Sequence, residues 1–445
     1  MAHVVLASAP FPGHVIPLLP IGRSLLDAGH RLTVISAATF EPLFRSVLGT
    51  AGVRFHPLRG AAAFDGNRTL ETFPALKTTP PGHRQVQVAA RDIFIPAIAD
   101  QFQAVQEVLA VEDAGDAVVV HDAFFHGTWP LMLGAPGLRP AGAIGIGVSV
   151  LALGGDDVAP FGYGLEPDAT PSGVRRNREL DVQMRSEFAP TQDQFEELMA
   201  GLGTDERPPY YWDAHSLLCD RYFQLSPEGL EHPRAAMPGH IEVIGRPEPP
   251  SQLAEFIAPD WWGDVLEADD VVFVTQGTLN NDNHSALIGP TLEALADSGV
   301  LVVATFGGRP VPDGLVVPPN ARVAEYLSYD VMLPYTSVFV TNGGYGGVQT
   351  ALMHGIPVVV AGETEDKPEV AARVAASGAG VNLRTGQPEP TAVRAAVERT
   401  LRDDSFRKRA EVLRAQYKAA DPLTRIKNEV DALAAASPAQ ERAYV

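Results

Sequence analysis

The segment spanning residues 338–383 reads as a β-strand, a glycine-rich turn, a helix and a second strand, and this order constrains the fold more than any other feature. Apolar or β-favouring residues (VFVT) lead to Asn342, and four glycines then precede a helical pattern that begins near Val348. Parallel strands need a long crossover connection, usually a helix, so a strand–helix–strand order indicates that the two strands run parallel. The sequence therefore predicts a parallel sheet covered by helices on both faces.

The glycine-rich turn has the properties of a phosphate cradle. Glycine lets backbone N–H groups approach an anion, and the start of a helix carries about half a positive charge. After the second strand comes an acidic turn containing Glu365, Asp366 and Lys367. These side chains either hydrogen-bond sugar hydroxyls or form a solvated turn. Because open α/β sheets bind ligands at the carboxyl ends of their strands, we expect a ligand site at this edge.

The length of 445 residues predicts two domains, since one hydrophobic core rarely supports so long a chain. Strand and helix alternate from the start, with a strand at residues 3–9, a helix at 15–28 and a strand at 32–36. Residues 151–217 are less regular, with a helix near 192–199, and are expected to form a binding region. A segment with three prolines in eight residues, GRPEPPSQ, is typical of a linker. We predict an N-terminal domain (1–245), a linker (246–258), a C-terminal domain (259–421) and a last helix (422–445) that packs back on the first domain.

Charge and composition exclude several classes of protein. A formal net charge of −20 argues against nucleic acid or an anionic membrane as the main partner. One cysteine, Cys219, cannot form an internal disulfide or a thiolate metal site. The absence of GxxxxGK[ST], of GxGxxG after a strand and of Asp-x-Asp argues against a P-loop ATPase, a dinucleotide enzyme and a carboxylate-bound metal. With no signal peptide or long apolar run, we expect a cytoplasmic protein without membrane insertion, metal or cofactor.

A histidine and an aspartate follow two strands of the first domain. His14 lies in the loop PFPGHVIP, and Asp122 ends the strand AVVVHD. Both belong to the same edge of a parallel sheet, so a His–Asp dyad that removes a proton from a hydroxyl is one interpretation. The alternative is that the histidine caps a helix or bonds a carbonyl and the aspartate is an N-cap. His121 is expected to be structural, and His126 stays unassigned.

Two stretches of the second domain offer contacts to a nucleotide. Gly277 and Thr278 follow the strand VVFVT and present a backbone N–H and a hydroxyl to a phosphate. Tyr326 and Tyr329 follow a short strand, where a ring either stacks on a nucleobase or packs between domains. Neither stretch is specific by itself.

Taken together, these motifs resemble the GT-B-fold, family 1 glycosyltransferases, the group that includes UDP-glycosyltransferases and macrolide glycosyltransferases. The resemblance covers nearly the whole chain through PGHVIPLLPIGRSLLDAGHRLTVIS, VVVHDAFF, FQLSPEGLEHP, VVFVTQGT, TNGGYGGVQTALMHGIPVVV and EDKPEVAARVAASGAGV. It implies an α/β protein in which two doubly wound, Rossmann-like domains face each other across a cleft. The N-terminal domain (1–245) would bind the acceptor, and the C-terminal domain (259–421) would bind the nucleotide sugar.

The resemblance also implies residue roles. His14 is the base that deprotonates the acceptor, and Asp122 holds it. The nucleotide-sugar site then comprises Gly277, Thr278, Tyr326, Leu327, Asn342, Gly343, Gly344, Gly346, Gly347, Gln349, Thr350, Asp366 and Lys367. The implied enzyme is an inverting, metal-independent O-glycosyltransferase, monomeric or homodimeric, with a nucleotide sugar as co-substrate and a hydrophobic natural product or drug-like acceptor. UDP-glucose is the favoured donor, and a dTDP-sugar is the second choice.

Three positions depart from the family pattern. Asn342 stands where a histidine usually contacts a donor phosphate, and asparagine cannot carry charge. Thr350 replaces the glutamate that grips the ribose, although Gln349 beside it is a candidate substitute, and Lys367 replaces a glutamine. Two alternative functions follow: a non-catalytic nucleotide-sugar-binding helper, which the intact His14 and Asp122 argue against, and a lipid-linked-sugar transferase, which the acidic charge argues against.

Overall fold

Short runs of valine, isoleucine and alanine form the central strands of a first sheet and are buried on both faces. The computed structural model describes residues 2–111, 114–248, 256–277 and 283–436. Seven strands pair in the order β3-β2-β1-β4-β5-β6-β7, and every pairing is parallel. Their bounds are β1 His3–Ala7, β2 Arg31–Ser36, β3 Val53–Pro57, β4 Ala117–Asp122, β5 Gly142–Gly147, β6 Arg221–Gln224 and β7 Ile241–Val243.

A second parallel sheet of six strands follows in the order β10-β9-β8-β11-β12-β13. Its strands are β8 Val271–Thr275, β9 Leu301–Thr305, β10 Ala321–Ala324, β11 Val338–Thr341, β12 Val358–Val360 and β13 Gly380–Asn382. The predicted α/β class with two doubly wound domains is confirmed. In each sheet the winding reverses between two neighbouring strands, β1 and β4 in the first and β8 and β11 in the second.

Helices cover both sheets. The α-helices are α1 Pro12–Val15, α2 Leu18–Asp27, α3 Glu41–Leu48, α4 Thr69–Thr72, α5 Ala75–Thr78, α6 His83–Ala89, α7 Ile95–Val111, α8 Trp129–Met132, α9 Pro171–Gly201, α10 Tyr211–Leu217, α11 Trp262–Glu267, α12 Ile288–Ala294, α13 Tyr329–Met332, α14 Tyr345–Met353, α15 Lys367–Ser377, α16 Pro390–Arg402, α17 Asp404–Ala419 and α18 Pro422–Ala435. A π-helical turn, Ala90–Phe94, joins α6 to α7. Among the helices described, none has the length and apolar character needed to cross a bilayer.

The segment expected to be irregular contains the longest helix of the structure. Helix α9 has 31 residues, starts at a Thr170 cap that accepts the Gly173 N–H at 3.1 Å, and includes Pro190. The predicted helix at 192–199 corresponds only to its C-terminal part, because the polar and charged residues before Pro190 hide the helical pattern in the sequence. Buried side chains at helical spacing fix α9 on the first domain: Met184, Phe188, Phe195 and Met199.

Helix α18 returns to the first domain after the second sheet is complete. Ile426 and Val430 are fully buried in the same apolar cluster as Val118 and Ile144 of the first sheet. At the edge of this contact, Arg221 Nε lies 3.1 Å from Glu429 Oε1. The described chain therefore begins and ends on the same domain.

Buried charges join the two domains. The guanidinium of Arg373, on α15, is only 1% exposed and lies 2.9 Å from the Glu231 carboxylate of the first domain. It also lies 3.2 Å from Glu369 on its own helix. Glu369 in turn accepts the backbone N–H groups of Gly162 and Gly164, at 2.9 and 2.7 Å. Because each charge has a partner, this contact holds the carboxyl edges of the two sheets opposite each other.

We predict that Ile426→Ala lowers the free energy of unfolding by about 2–5 kcal/mol, because it opens a cavity in the core of the first domain. Asn428→Ala, at an exposed position two residues further on, is the control and should change stability by less than about 0.5 kcal/mol. Urea unfolding followed by circular dichroism measures both. Equal stabilities of the two variants would contradict the packing described here.

Candidate active site

The loop after β1 and the end of β4 bring His14 and Asp122 together. These strands are neighbours, with Ala7 opposite His121 in the register. His14 lies in the single turn of α1, which starts at Pro12, a residue suited to the first position of a helix. Its Nδ1 lies 2.7 Å from Asp122 Oδ1. The side chain of His14 is 17% exposed and that of Asp122 is fully buried, so the imidazole lies between the core and the solvent.

Asp122 holds the imidazole in one orientation. Besides His14, its carboxylate accepts the backbone N–H of Ala9 at 2.6 Å and that of Phe124 at 2.8 Å. A carboxylate only accepts hydrogen bonds, so Nδ1 of His14 carries the proton in this pair. The lone pair is then on Nε2, which is the atom available to take a proton from a substrate.

Aromatic rings surround His14. The ring of Phe11 lies 5.3 Å from the imidazole, and Phe124 meets it edge-on at 5.0 Å between centroids. Both rings also contact Phe94, at 5.8 and 4.9 Å. The cluster extends to Phe64 and from there to Phe73. These phenylalanines form an apolar wall beside His14, which suits a flat or aliphatic molecule that carries a hydroxyl.

The other histidines near Asp122 belong to the core. Nδ1 of His121 donates to the carbonyl of Asp122 at 2.9 Å, and burial lowers the pKa of the His121 imidazole. His126 stacks on Trp129 with 3.8 Å between centroids, and burial holds the pKa of His126 well below its ordinary value. Burial likewise lowers the pKa of His215, which packs edge-on against His126, to about 4. These rings are neutral and buried, so His126, which the sequence leaves unassigned, is a core residue.

The glycine-rich turn forms a cradle at the start of α14. The helix begins at Tyr345, three residues before the predicted start, so Gly346 and Gly347 lie in its first turn and Gly344 is the N-cap. Gly343 has a φ of +91°, and a Cβ there would lie 2.7 Å from a methyl carbon of Val360. Nothing lies within 4 Å of a Cβ built on Gly344. The first turn therefore offers free N–H groups beside open space.

Asn342 and Gly277 meet where the second sheet reverses its winding. Asn342 follows β11 and Gly277 follows β8, and these strands are neighbours. The Asn342 Nδ2 donates to the carbonyl of Gln276 at 2.5 Å, and a Cβ on Gly277 would lie 3.8 Å from Asn342 Oδ1. Two positions predicted to contact a diphosphate are thus adjacent. The third, Thr278, lies outside the described residues.

The two tyrosines after β10 have different environments. Tyr326 is 51% exposed and Leu327 beside it is buried, so the Tyr326 ring is accessible for stacking. Tyr329 packs against Phe273 and Phe339 at 6.0 and 5.6 Å. These partners belong to the second domain, so Tyr329 is a core residue there and does not pack between the domains.

The acidic turn contacts the first domain. Asp366 Oδ2 accepts a hydrogen bond from the Ser149 hydroxyl at 2.7 Å. The Lys367 ammonium pairs with Glu365 and lies 3.2 Å from the Thr364 hydroxyl, and its side chain is only 6% exposed. The turn is therefore an ordered part of the cleft. Sequence reasoning missed Ser149, because no motif marks a serine two residues beyond a strand.

Thr350 and Gln349, adjacent on α14, face different surroundings. Thr350 donates its hydroxyl to the carbonyl of Gly346 at 2.8 Å, and this hydroxyl accepts a hydrogen bond from Arg246 at 3.3 Å. Gln349 is 2% exposed, and its side-chain oxygen accepts the Tyr417 hydroxyl at 2.9 Å. The structure does not bring Gln349 into the cradle, because a shift of one position on a helix turns a side chain by about 100°.

Comparisons with known proteins agree with this geometry. The model of the erythromycin biosynthesis protein CIII-like, C-terminal domain matches residues 290–433. The chain is 37% identical to UDP-glycosyltransferase 2 of Phaeomoniella chlamydospora, over 98% of this chain and 96% of that protein. It is 34% identical to 4'-demethylrebeccamycin synthase of Lentzea aerocolonigenes, over 94% and 96%. The crystal structure of the calicheamicin glycosyltransferase CalG4 superposes with a TM-score of 0.68 at 20% identity, over 98% of this chain and 99% of that one.

We predict that Asp122→Asn lowers the free energy of unfolding by about 1–3 kcal/mol, because an amide nitrogen would face one of the backbone donors that now bond the carboxylate. His14→Ala is the comparison and should cost less, since water can enter the partly exposed space and bond Asp122. Urea unfolding measures both. A larger loss for His14→Ala than for Asp122→Asn would contradict the hydrogen-bond arrangement.

Proposed function

The chain belongs to the GT-B-fold, family 1 glycosyltransferases, and on that premise we propose that it moves glucose from UDP-glucose to a hydroxyl of a hydrophobic small molecule, with inversion and without a metal or other cofactor. Transfer of a sugar from a nucleotide sugar is the activity of the family. The sugar, the acceptor and the stereochemistry are the proposal. The observation that carries it is the 2.7 Å contact between His14 and a buried Asp122 within an aromatic wall.

His14 acts on the acceptor. Its Nε2 takes the proton as the acceptor oxygen forms a bond to the anomeric carbon, and the bond from that carbon to the diphosphate oxygen breaks with its electron pair. Asp122 stabilises the resulting imidazolium and fixes the ring. The phenylalanine wall around Phe11 and Phe124 supports an apolar acceptor, because it binds rings by contact area and excludes water from the reacting oxygen.

The cradle acts on the leaving group. The free N–H groups at the start of α14 and the positive end of its dipole face the diphosphate as its charge grows. Stabilisation of the leaving group by backbone N–H groups supports a metal-free reaction. In addition, no three His, Cys, Asp or Glu side chains in the described part of the chain are grouped as metal ligands. In this proposal Asp366, which accepts a hydrogen bond from Ser149, also accepts hydrogen bonds from sugar hydroxyls.

Direct displacement leads to inversion. A double displacement needs a carboxylate nucleophile next to the anomeric carbon. Asp122 is unsuited to that role, because it is fully buried and its oxygens accept three hydrogen bonds. A relative named UDP-glucosyltransferase A1, from Starmerella bombicola, is 34% identical over 97% of this chain, which supports UDP-glucose as the donor.

We predict that the protein with UDP-glucose glucosylates members of a panel of apolar phenols and alcohols, seen by mass spectrometry, with β-linked glucose by NMR and an unchanged rate in EDTA. His14→Ala should lower the rate by about 10²–10⁴-fold through loss of the base. His56→Ala is the matched control and should keep the rate. It removes a histidine of β3 that pairs with Glu107 on α7.

Each result has a distinct meaning. Full transfer by His14→Ala would overturn the mechanism, and an α-linked product would overturn inversion. Binding of UDP-glucose by calorimetry without transfer to any acceptor would favour the helper function. Preference for a dTDP-sugar would correct the donor and leave the mechanism intact.

A further inference from the structure

An arginine at the start of the linker is buried beside the cradle. Arg246 follows β7 by three residues and is 8% exposed. One terminal nitrogen donates to the carbonyl of Gly346 at 3.0 Å and to the Thr350 hydroxyl at 3.3 Å. The other terminal nitrogen is the nearest atom, at 3.8 Å, to a Cβ built on Gly346. The guanidinium therefore lies against the first turn of α14.

Arg246 has no carboxylate partner among the residues that the structure describes. Its hydrogen bonds in this set go to an uncharged carbonyl and a hydroxyl, and both are made by one nitrogen. The nearby Glu231 carboxylate already bonds the Tyr345 hydroxyl at 2.9 Å and Arg373 at 2.9 Å. Burial lowers the pKa of Arg246. A buried cation without a counter-charge is costly, so a protein rarely retains one without a use.

The place of Arg246, beside the start of α14, makes its positive charge still less favourable. The start of a helix is its positive end, and cations are stabilised at the opposite end. Helix α14 has nine residues, and its first turn contains no acidic side chain. Arg246 and the free N–H groups of this turn thus place positive charge on positive charge. An anion bound between them would be stabilised by both.

The rest of the cradle lacks such a charge. Asn342 is neutral, and Lys367, the one cationic side chain predicted to bind the nucleotide sugar, already pairs with Glu365. Among the predicted site residues that the structure describes, a diphosphate would meet backbone donors and amides but no unpaired cation, in a protein with a net charge of −20. Arg246 is a cation beside this turn that the glycine-rich segment itself does not contain.

We propose that Arg246 binds the diphosphate of the donor and stabilises it as it leaves, a role that rests on the proposed function for the identity of the nucleotide. The unused donors of the guanidinium face the phosphate oxygens, and the charge of Arg246 replaces what Asn342 cannot provide. The proposed contact is with the phosphates, and a contact with the ribose, beside Thr350, is the alternative that a nucleoside probe tests.

Calorimetry with three probes separates these contributions: inorganic pyrophosphate, UDP and uridine. For Arg246→Gln we expect UDP and pyrophosphate to bind about 10- to 100-fold more weakly, and uridine to bind as in the wild type. Arg234→Gln is the matched control, because Arg234 is half-buried but donates to the carbonyls of Leu151 and Leu153 in the first domain. It should leave the affinity for UDP unchanged.

A stability measurement excludes a merely structural role. Arg246→Met removes an unpaired buried charge and keeps an unbranched side chain, so the Tm without nucleotide should stay equal or rise while UDP binding weakens. A lower Tm with unchanged UDP affinity would overturn the proposal. An equal loss of uridine affinity in Arg246→Gln would also overturn it, in favour of a nucleoside contact.

Failure of the proposed function gives a different pattern. If the wild type binds neither UDP nor dTDP, the donor assignment is wrong. Loss of pyrophosphate binding in Arg246→Gln would then still establish the anion site. If the wild type binds UDP and Arg246→Gln binds it equally well, only the role of Arg246 is overturned.

Discussion

The reversal of winding in each parallel sheet is the constraint on which the site depends. Where neighbouring strands send their connections to opposite faces, their carboxyl ends leave a crevice between the loops. In the first sheet β1 and β4 flank this crevice, and they supply His14 and Asp122. In the second sheet β8 and β11 flank it, and they supply Gly277 and Asn342. Strand order therefore gives each domain one half of the proposed site, with the proposed base on the first domain and the proposed phosphate cradle on the second.

The two half-sites act together only if the domains face each other in a fixed way. The contact of Arg373 with Glu231 and those of Glu369 with Gly162 and Gly164 join the two domains, and the bond from Ser149 to Asp366 ties the acidic turn to the first domain. These contacts are polar, and polar contacts need exact partners. An apolar interface of similar size would tolerate sliding, which would separate the base from the anomeric carbon.

Much of this arrangement can be predicted from the sequence, and the rest depends on distant contacts. The apolar runs mark the strands, and parallel pairing then places His14 near Asp122 although 108 positions separate them. Helix α9 was largely missed because the polar and charged residues before Pro190 hide its pattern, and the interior proline is accommodated because the stripe of buried side chains continues. Arg246 and Ser149 carry no local signal, since their partners lie about 100 and 217 positions away. Gln349 was expected beside the ribose, but its side chain faces Tyr417, because adjacent residues on a helix point about 100° apart.

The return of α18 means that the chain crosses between the domains twice, once after β7 and once after α17. These crossings lie side by side, because a Cβ built on Gly245 would be 2.3 Å from the Cβ of Ala420. Two connections far apart from each other would hold the domains at a fixed angle. Adjacent crossings join the domains along one side only, so their relative orientation depends on the polar contacts that Arg373 and Asp366 make with the first domain. Gly245, with a φ of +81°, permits the close approach, so the parallel course of the two connections depends on the absence of one side chain.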